Sequence, residues 1–448
     1  NKTSNNTSIS RKNHNVKSVI NKIDTKVRNS RFRSNERQPK KPDFIAFNRL
    51  LRITLPNLFP EIDAIDHFPH LQYINHILTH KGIEYTVRYL KASQESIEHL
   101  ILGIHGVLEH EKVSIGKDTD GWPKWLGNRL KSNCLKNNRP SIRYALTLCS
   151  ARRLLTVPTT TNLNSITSKP TQVVDVDLTP ILTNLGGNDQ DLFDSVREPV
   201  IGETETIKSE TITTYKVPKH QISLKSSPNG ISYFAFPFDR AAIVHHKLKK
   251  RLLAFANIYF QGDVEGLLTD QLSPYEKLVD SNRQLHVGKI SLTHETGKLK
   301  PRVFAIVDTV TQSLLGDLHF DLMQILRRIP EDCTFDQDKV VRIAKQKHQD
   351  GVAFYGFADL SNASDRIPKT LYETIGNFIR PGLGSAWVAL FDRDFNISKS
   401  VVESFDPNTR RPSHVRYQCG QPMGALSSWP FMAIVHHVLV WYSFGSRK

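Results

Sequence analysis

The stretch GVAFYGFADLSNASDR, residues 351–366, constrains this chain more than any other. Residues 352–358 form a short apolar run with three aromatics, bounded by glycine and turn residues. Such a run predicts a buried strand. It ends on Asp359, so a carboxylate is expected at a strand tip, where the sites of open α/β sheets collect. Asp365 follows after a Ser-Asn-Ala-Ser turn, and Pro368 suits the first turn of a following helix. A strand-tip carboxylate is suited to Mg2+, a hard cation that takes oxygen ligands and keeps several waters. The same residues also fit plain turn chemistry, because Asp and Ser favour helix caps and turns.

Two further segments bear on chemistry. YQCGQPMGALSSWPFMAIVHHVLVWY (417–442) places Gly420 and Gly424 around Gln421 and Pro422, then leads into an apolar helix. A glycine loop that opens a helix lets backbone approach a ligand closely, and the helix N-terminus favours anions. Ser427 and Ser428 there offer hydroxyls to a sugar, although a hinge before a core helix would look the same. Upstream, GKISLTHETGKLKPRVFAIVDTVTQ (288–312) crowds Lys298, Lys300 and Arg302 before the apolar run VFAIV. If all three lie on one strand, alternation puts them on one face, a row that would neutralise a triphosphate. A basic edge strand that resists aggregation is the competing explanation.

The rest of the chain divides by composition. Residues 1–44 hold 12 Lys/Arg against 3 Asp/Glu and almost no large apolar residues, as a disordered basic tail would. Residues 45–155 carry Phe47, Leu50, Leu51 and Leu55, then Ile74, Ile77 and Leu78, at helical spacing, and predict a mostly helical region. Residues 156–230 read as a linker: a Thr/Ser/Asn/Pro stretch, then an acidic insert at 175–210 with 9 Asp/Glu against Arg197 and Lys208. Residues 231–448 carry the periodic segments and the three motifs.

Overall the chain has 60 Lys and Arg against 44 Asp and Glu, a net charge of +16, which favours a polyanionic partner. Four cysteines lie far apart with no CxxC pair, which argues against a zinc ribbon or a disulfide scaffold. The apolar run 429–444 carries His436 and His437 and is short for a bilayer, so a buried helix is expected rather than a membrane span. The adjacent histidines point to different sides of a helix and make poor joint ligands. The N-terminal stretch is basic and poor in acids, as a mitochondrial presequence is, without a clear apolar stripe.

A basic segment, then a carboxylate segment, then a glycine loop and helix is the order of palm-type polymerases. DLSNASDR and GQPMGALSSW, preceded by GKISL and RVFAIVDTVTQ, resemble the mitovirus RNA-dependent RNA polymerase family. IPEDCTFDQD (329–338) and SSPNG (226–230) are similar to that family too, and the strong resemblance runs over about 285–441. It implies an α/β (α+β) right-hand polymerase, with palm and fingers partly present behind a helical N-terminal region. It implies two-metal nucleotidyl transfer on an RNA template, with Mg2+ or Mn2+, in a host mitochondrion or, failing that, the cytoplasm. RNA and nucleoside triphosphates are the implied partners; no protein partner follows.

By motif match, Asp359 resembles the metal-binding, catalytic aspartate of motif A, and Asp365 the second aspartate near the ribose. Lys298, Lys300 and Arg302 resemble motif F, which faces triphosphate and template. Gly424 and Ser428 match the glycine and hydroxyl residue of motif B, with Ser427 beside them. Where general motif B has an Asn four residues further on, this chain has Met432. No Gly-Asp-Asp of motif C occurs in the 448 residues, so an incomplete polymerase without a thumb, unable to polymerise alone, is the expectation. Other activities fit parts of the chain: a truncated or endogenised copy that only binds RNA, a related polymerase of narnaviruses, ourmiaviruses or RNA phages, or a metal phosphohydrolase using Asp359 and Asp365.

Overall fold

The computed structural model describes residues 44–445 apart from 63, 105–112, 158–159, 171–175, 187–191, 198–203, 208–209, 214–223, 261–271, 273–283, 353–355, 357–358 and 407–410. The basic tail therefore lies outside the described residues, except for Phe44, which opens the first helix. So do five of the seven residues of the apolar run 352–358. The flanking Val352, Gly356 and Asp359 are described; they are exposed and belong to no strand.

The helical part opens with α1 (Phe44–Leu58) and α2 (Ala64–Leu102), followed by α3 (Gly127–Leu135) and α4 (Arg139–Ser150). The spacing of Phe47, Leu51 and Leu55, and of Ile74, Ile77 and Leu78, puts these side chains in the interior; Leu50 turns outward and is exposed. Trp122, Tyr144, Leu148 and Leu155 complete this first core. It holds because three- and four-residue spacing lines apolar side chains along one helix stripe.

Next come α5 (Asn164–Thr167) and α6 (Thr179–Gly186), a short helix α7 (Asp194–Arg197), and the hairpin β1 (Thr204–Ile207)–β2 (Glu210–Thr213). This span was expected to be a linker; its apolar residues correct that, while the acidic residues Asp177 and Asp194 are exposed. Leu163, Ile166, Ile181, Leu182, Leu185, Phe193 and Val196 are buried in the larger of the two cores. The apolar residues are sparse between polar ones, so no regular period exposes them; the partner surface that buries them lies far along the chain.

A second small hairpin, β3 (Ser226–Ser227)–β4 (Gly230–Ile231), precedes α8 (Ser232–His245) and α9 (Lys249–Tyr259). Then come β5 (Gly288–Thr293), β6 (Arg302–Val307), the long α10 (Thr309–Arg328) and the exposed α11 (Lys339–Gln349). The remainder is α12 (Ala363–Arg366), α13 (Lys369–Ile379), α14 (Leu383–Leu390), β7 (Phe395–Ile397), α15 (Lys399–Ser404), β8 (His414–Val415) and α16 (Ser428–Phe444). The largest sheet has the order β6-β5-β7-β8, antiparallel except for the parallel β5–β7 pair. The chain is thus a mix of helices with a small mixed sheet. α16 is buried along Phe431, Ile434, Val435 and Val438 but exposes Trp429, Tyr442 and Phe444, so it is not buried all round. Among the described residues no helix is long and apolar enough to cross a membrane. All four cysteines are free.

Two buried acids fasten this part together. Asp239 on α8 accepts from Ser227 Oγ (2.6 Å), from Asn229 Nδ2 (2.8 Å) and from the Thr309 N–H at the start of α10 (2.9 Å). Asn229 also donates to the His286 carbonyl (2.8 Å) and accepts from the His286 N–H (2.9 Å), which pins the SSPNG turn to the entry of β5. Asp308 caps α10 through the Thr311 N–H (2.8 Å) and pairs with the fully buried Arg393 at 2.5 Å. Arg393 reaches the Val287 carbonyl (3.1 Å) as well. Such a pair contributes only if its remaining hydrogen bonds are satisfied, and here they fix the start of α10 relative to β5 and to the turn before β7.

Candidate nucleotide-facing site

The glycine loop 417–428 is the hub of the site. On one side it meets α12. The Gly420 N–H donates to the Asp365 carbonyl and the Gln421 N–H to the Ser364 carbonyl, both at 2.8 Å. The Lys369 N–H returns a bond to the Cys419 carbonyl (2.9 Å), and Lys369 Nζ donates to the Tyr417 carbonyl (2.5 Å). A Cβ on Gly420 would lie 2.2 Å from the Ser364 carbonyl oxygen, so no larger residue fits without displacing backbone.

On its other side the loop meets β6. The Ala305 N–H donates to the Met423 carbonyl at 2.7 Å. Gly424 has φ +117°, and a Cβ there would lie 2.2 Å from the Ala305 carbonyl oxygen. Both its backbone conformation and its closeness to β6 therefore require glycine. Gln312, in the first turn of α10, clamps the same stretch: its Nε2 donates to the Gly424 carbonyl (3.0 Å) and its Oε1 accepts from the Leu426 N–H (2.8 Å).

Ser427 is fully buried with a left-handed φ of 65° immediately before α16. Its hydroxyl accepts from Trp387 Nε1 (2.8 Å), and its N–H donates to His319 Nδ1 (3.1 Å). That bond requires a neutral imidazole with its proton on Nε2, and burial pushes the His319 pKa down accordingly. Ser428 is also buried, and its carbonyl accepts from Gln421 Nε2 (3.1 Å).

Asp365 lies on α12, partly buried, and its Oδ2 accepts from Ser165 Oγ at 2.6 Å. Burial raises the Asp365 carboxyl pKa; the Ser165 hydroxyl and the Arg366 charge pull the other way. Asp359 is exposed and belongs to no helix or strand. Among the described residues no group of three or more His, Cys, Asp and Glu is gathered to hold a metal. One exposed carboxylate is still a fitting donor for a hard divalent cation, which commonly takes one or two carboxylates and completes its shell with substrate phosphates and water.

The basic row differs from expectation. Only Arg302 is on a strand, at the first position of β6, where it pairs with Glu295 at 3.0 Å. Lys298 and Lys300 lie in the turn before it, so strand alternation does not align the three. Instead the turn is seated on the end of the helical part: the Gly297 N–H donates to the Leu155 carbonyl (2.7 Å), and a Cβ on Gly297 would lie 2.7 Å from Arg153 Cα. The exposed Arg153 therefore extends this basic surface. Sequence reasoning missed Arg153, Gln312, His319, Trp387 and Ser165 as parts of the site. Gln312 alone had a local signal, since it falls in the first turn of a helix capped by Asp308. His437 bonds to Asp332 Oδ2 at 3.0 Å and so ties α16 to the loop after α10, as a structural partner rather than a ligand.

The three motifs thus meet at one loop through backbone hydrogen bonds. The profile described as Mitovirus RNA-dependent RNA polymerase matches residues 213–444. The chain is similar to the RNA-directed RNA polymerase of Cryphonectria parasitica mitovirus 1, 33% identical over 156 residues, which is 34% of this chain and 17% of that protein. It is also similar to two uncharacterized mitochondrial proteins of Arabidopsis thaliana. One is 34% identical over 127 residues (26% of this chain, 53% of that protein), the other 36% identical over 121 residues (27% and 44%). The chain spans about half or less of the length of each of these relatives. With over half of its length matched to one profile, and that profile covering every motif of the site, the chain belongs to the mitovirus RNA-dependent RNA polymerase family.

Proposed function

We propose that this chain carries the nucleotide- and template-facing part of an RNA-directed RNA polymerase of right-hand architecture, with palm and fingers elements, working in a host mitochondrion. One observation carries the proposal: the glycine loop is hydrogen-bonded on one side to the Asp365 turn and on the other to β6, directly behind the basic turn. The names of the mitovirus polymerase and of the mitochondrial Arabidopsis proteins support the activity and the compartment.

In this reading Asp359 supplies the carboxylate for Mg2+ or Mn2+, and Asp365 faces the ribose. Lys298, Lys300 and Arg302 offset charge on the triphosphate and on the template backbone. Gly424 lets the loop approach the base pair being formed, Ser427 holds the loop to Trp387 on α14 and His319 on α10, and the Ser428 carbonyl holds it to the start of α16. The 3′-hydroxyl of the growing strand gives up its proton to solvent as its oxygen bonds to the α-phosphorus, and the bond to pyrophosphate breaks. The metal, when bound, supplies charge stabilisation for the attacking and leaving oxygens. The residues of this chain orient the nucleotide for in-line attack; positioning together with electrostatic stabilisation accounts for most of the acceleration of phosphoryl transfer.

Photo-crosslinking tests this. The 448-residue chain, with Mg2+ and a short RNA template, is irradiated with 4-thio-UTP and the adducts are mapped. Adducts are expected within 288–302 and 417–428, weakened by Asp359→Ala and by the Lys298→Ala/Lys300→Ala pair. Adducts confined to the helical part, or indifferent to these substitutions, would refute the proposal.

A further inference from the structure

Asp365 is held through its backbone and through its side chain, and the side-chain partner comes from 200 residues away in sequence. The Gly420 N–H bonds to its carbonyl, and the Gln421 N–H bonds to the carbonyl of Ser364 just before it. Its side chain receives the Ser165 hydroxyl on Oδ2 at 2.6 Å. The segment carrying Ser165 is itself strapped to the site. Arg366, next to Asp365, donates to the Ser168 carbonyl (2.7 Å) and the Lys169 carbonyl (3.1 Å). The Gln418 N–H donates to the Ile166 carbonyl (3.0 Å), and the Ile166 side chain is buried in the larger core. The strap therefore bonds to both halves of the site, α12 and the glycine loop.

A carboxylate has two oxygens, and its direction is free unless one of them is tethered. Ser165 tethers Oδ2. The oxygen left, Oδ1, then has one orientation instead of a spread of rotamers. For a residue that tells ribose from deoxyribose this matters, because discrimination depends on an acceptor waiting at the position of the 2′-hydroxyl.

We infer that Ser165 is a positioning residue for ribose recognition: its hydroxyl holds the Asp365 carboxylate so that the free oxygen meets a ribonucleotide's 2′-hydroxyl. This rests on the reading of Asp365 as the ribose-facing residue. Ser165 touches no substrate itself and acts through Asp365.

The test is the affinity of the 448-residue chain for GTP relative to dGTP, measured by equilibrium dialysis at fixed Mg2+ with a short RNA template present. Ser165→Ala is expected to lower the GTP-over-dGTP ratio roughly five-fold, as loss of one ordinary hydrogen bond would. Ser165→Thr, which keeps the hydroxyl, is expected to retain the ratio. Ser165→Cys keeps the volume with only a weak donor and should behave as Ala does. It also serves as the second variant if Ala unfolds, with thermal melting recorded for each protein. A ratio that collapses in Asp365→Ala but is unchanged in Ser165→Ala and Ser165→Cys overturns the role of Ser165 and leaves the reading of Asp365 standing. A ratio unchanged in Asp365→Ala as well, or no discrimination by the wild type, overturns both.

Discussion

Gly420 approaches Asp365 so closely that a Cβ at residue 420 would lie 2.5 Å from the Asp365 carbonyl oxygen, the same oxygen that accepts the Gly420 N–H. Both atoms at this contact are main chain, so no side-chain rotation relieves an added methyl. Gly420→Ala is expected to cost about 1–3 kcal/mol, the usual range for overpacking. The measurement is the urea midpoint, with 4-thio-UTP crosslinking to 417–428 followed in parallel. An unchanged midpoint together with wild-type crosslinking would show that the loop and α12 need not touch.

Ser427 and Trp387 form a second pair whose loss is predictable. The indole N–H is buried and the Ser427 hydroxyl is its acceptor. Ser427→Ala leaves that donor unsatisfied, at an expected cost of about 1–3 kcal/mol. Ser427→Gly loses the same acceptor but relaxes the left-handed φ of 65°, so it should be less destabilised than the alanine variant. Thermal denaturation of the two variants side by side checks the order; alanine equal to wild type would remove the hydroxyl from the account.

The basic turn makes a salt-dependent prediction. Lys298 and Lys300 sit in the turn before β6, and removing both should weaken binding of single-stranded RNA uniformly across sequences. The slope of log K against log salt should become shallower by roughly 1 to 1.5, since each lost phosphate contact on a single strand contributes about 0.7. Fluorescence anisotropy with two unrelated RNA sequences measures this. A slope identical to wild type would place the RNA elsewhere on the protein.

Asp239 sets a pH dependence. Its carboxyl is pushed up to about 6, first by burial and then by the Asp308 charge, against the bonds from Ser227, Asn229 and the Thr309 N–H. The folded state therefore keeps this proton over a range where the unfolded chain has lost it. Between about pH 4 and 6 the native state binds more protons, so this group's contribution to stability falls as pH rises, and it levels off above that range. Relative to Asp239→Asn, wild-type stability should drop by about 2–3 kcal/mol from pH 4 to pH 7. Urea unfolding at each pH provides the difference curve; a flat difference would contradict the assignment.

Much of the site was legible from local pattern. Gly424 required glycine because a loop preceding an apolar helix is where backbone must come close, and α16 begins where the pattern places it. The first core followed from helical spacing, save for Leu50, which the same periodicity could not tell from its buried neighbours. The basic row was half legible. The charges are adjacent in sequence, but Pro301 and Gly297 make a turn of what alternation treats as strand. The stretch around Leu163 and Ile166 looked like a connector because its apolar residues have no regular spacing.

Residue types, their order and their local spacing were enough to determine the kinds of chemistry present: a carboxylate turn, a glycine loop and a cluster of cations. Which atoms meet was settled only by the tertiary structure. Ser165 finds Asp365, Gln312 finds the glycine loop and Trp387 finds Ser427 across separations of 200, 112 and 40 residues. Each contact joins a local motif to a partner brought close by burial of a shared apolar core. Hydrophobic burial is non-directional, so no pattern in a single segment announces which distant hydroxyl, amide or indole will arrive beside it.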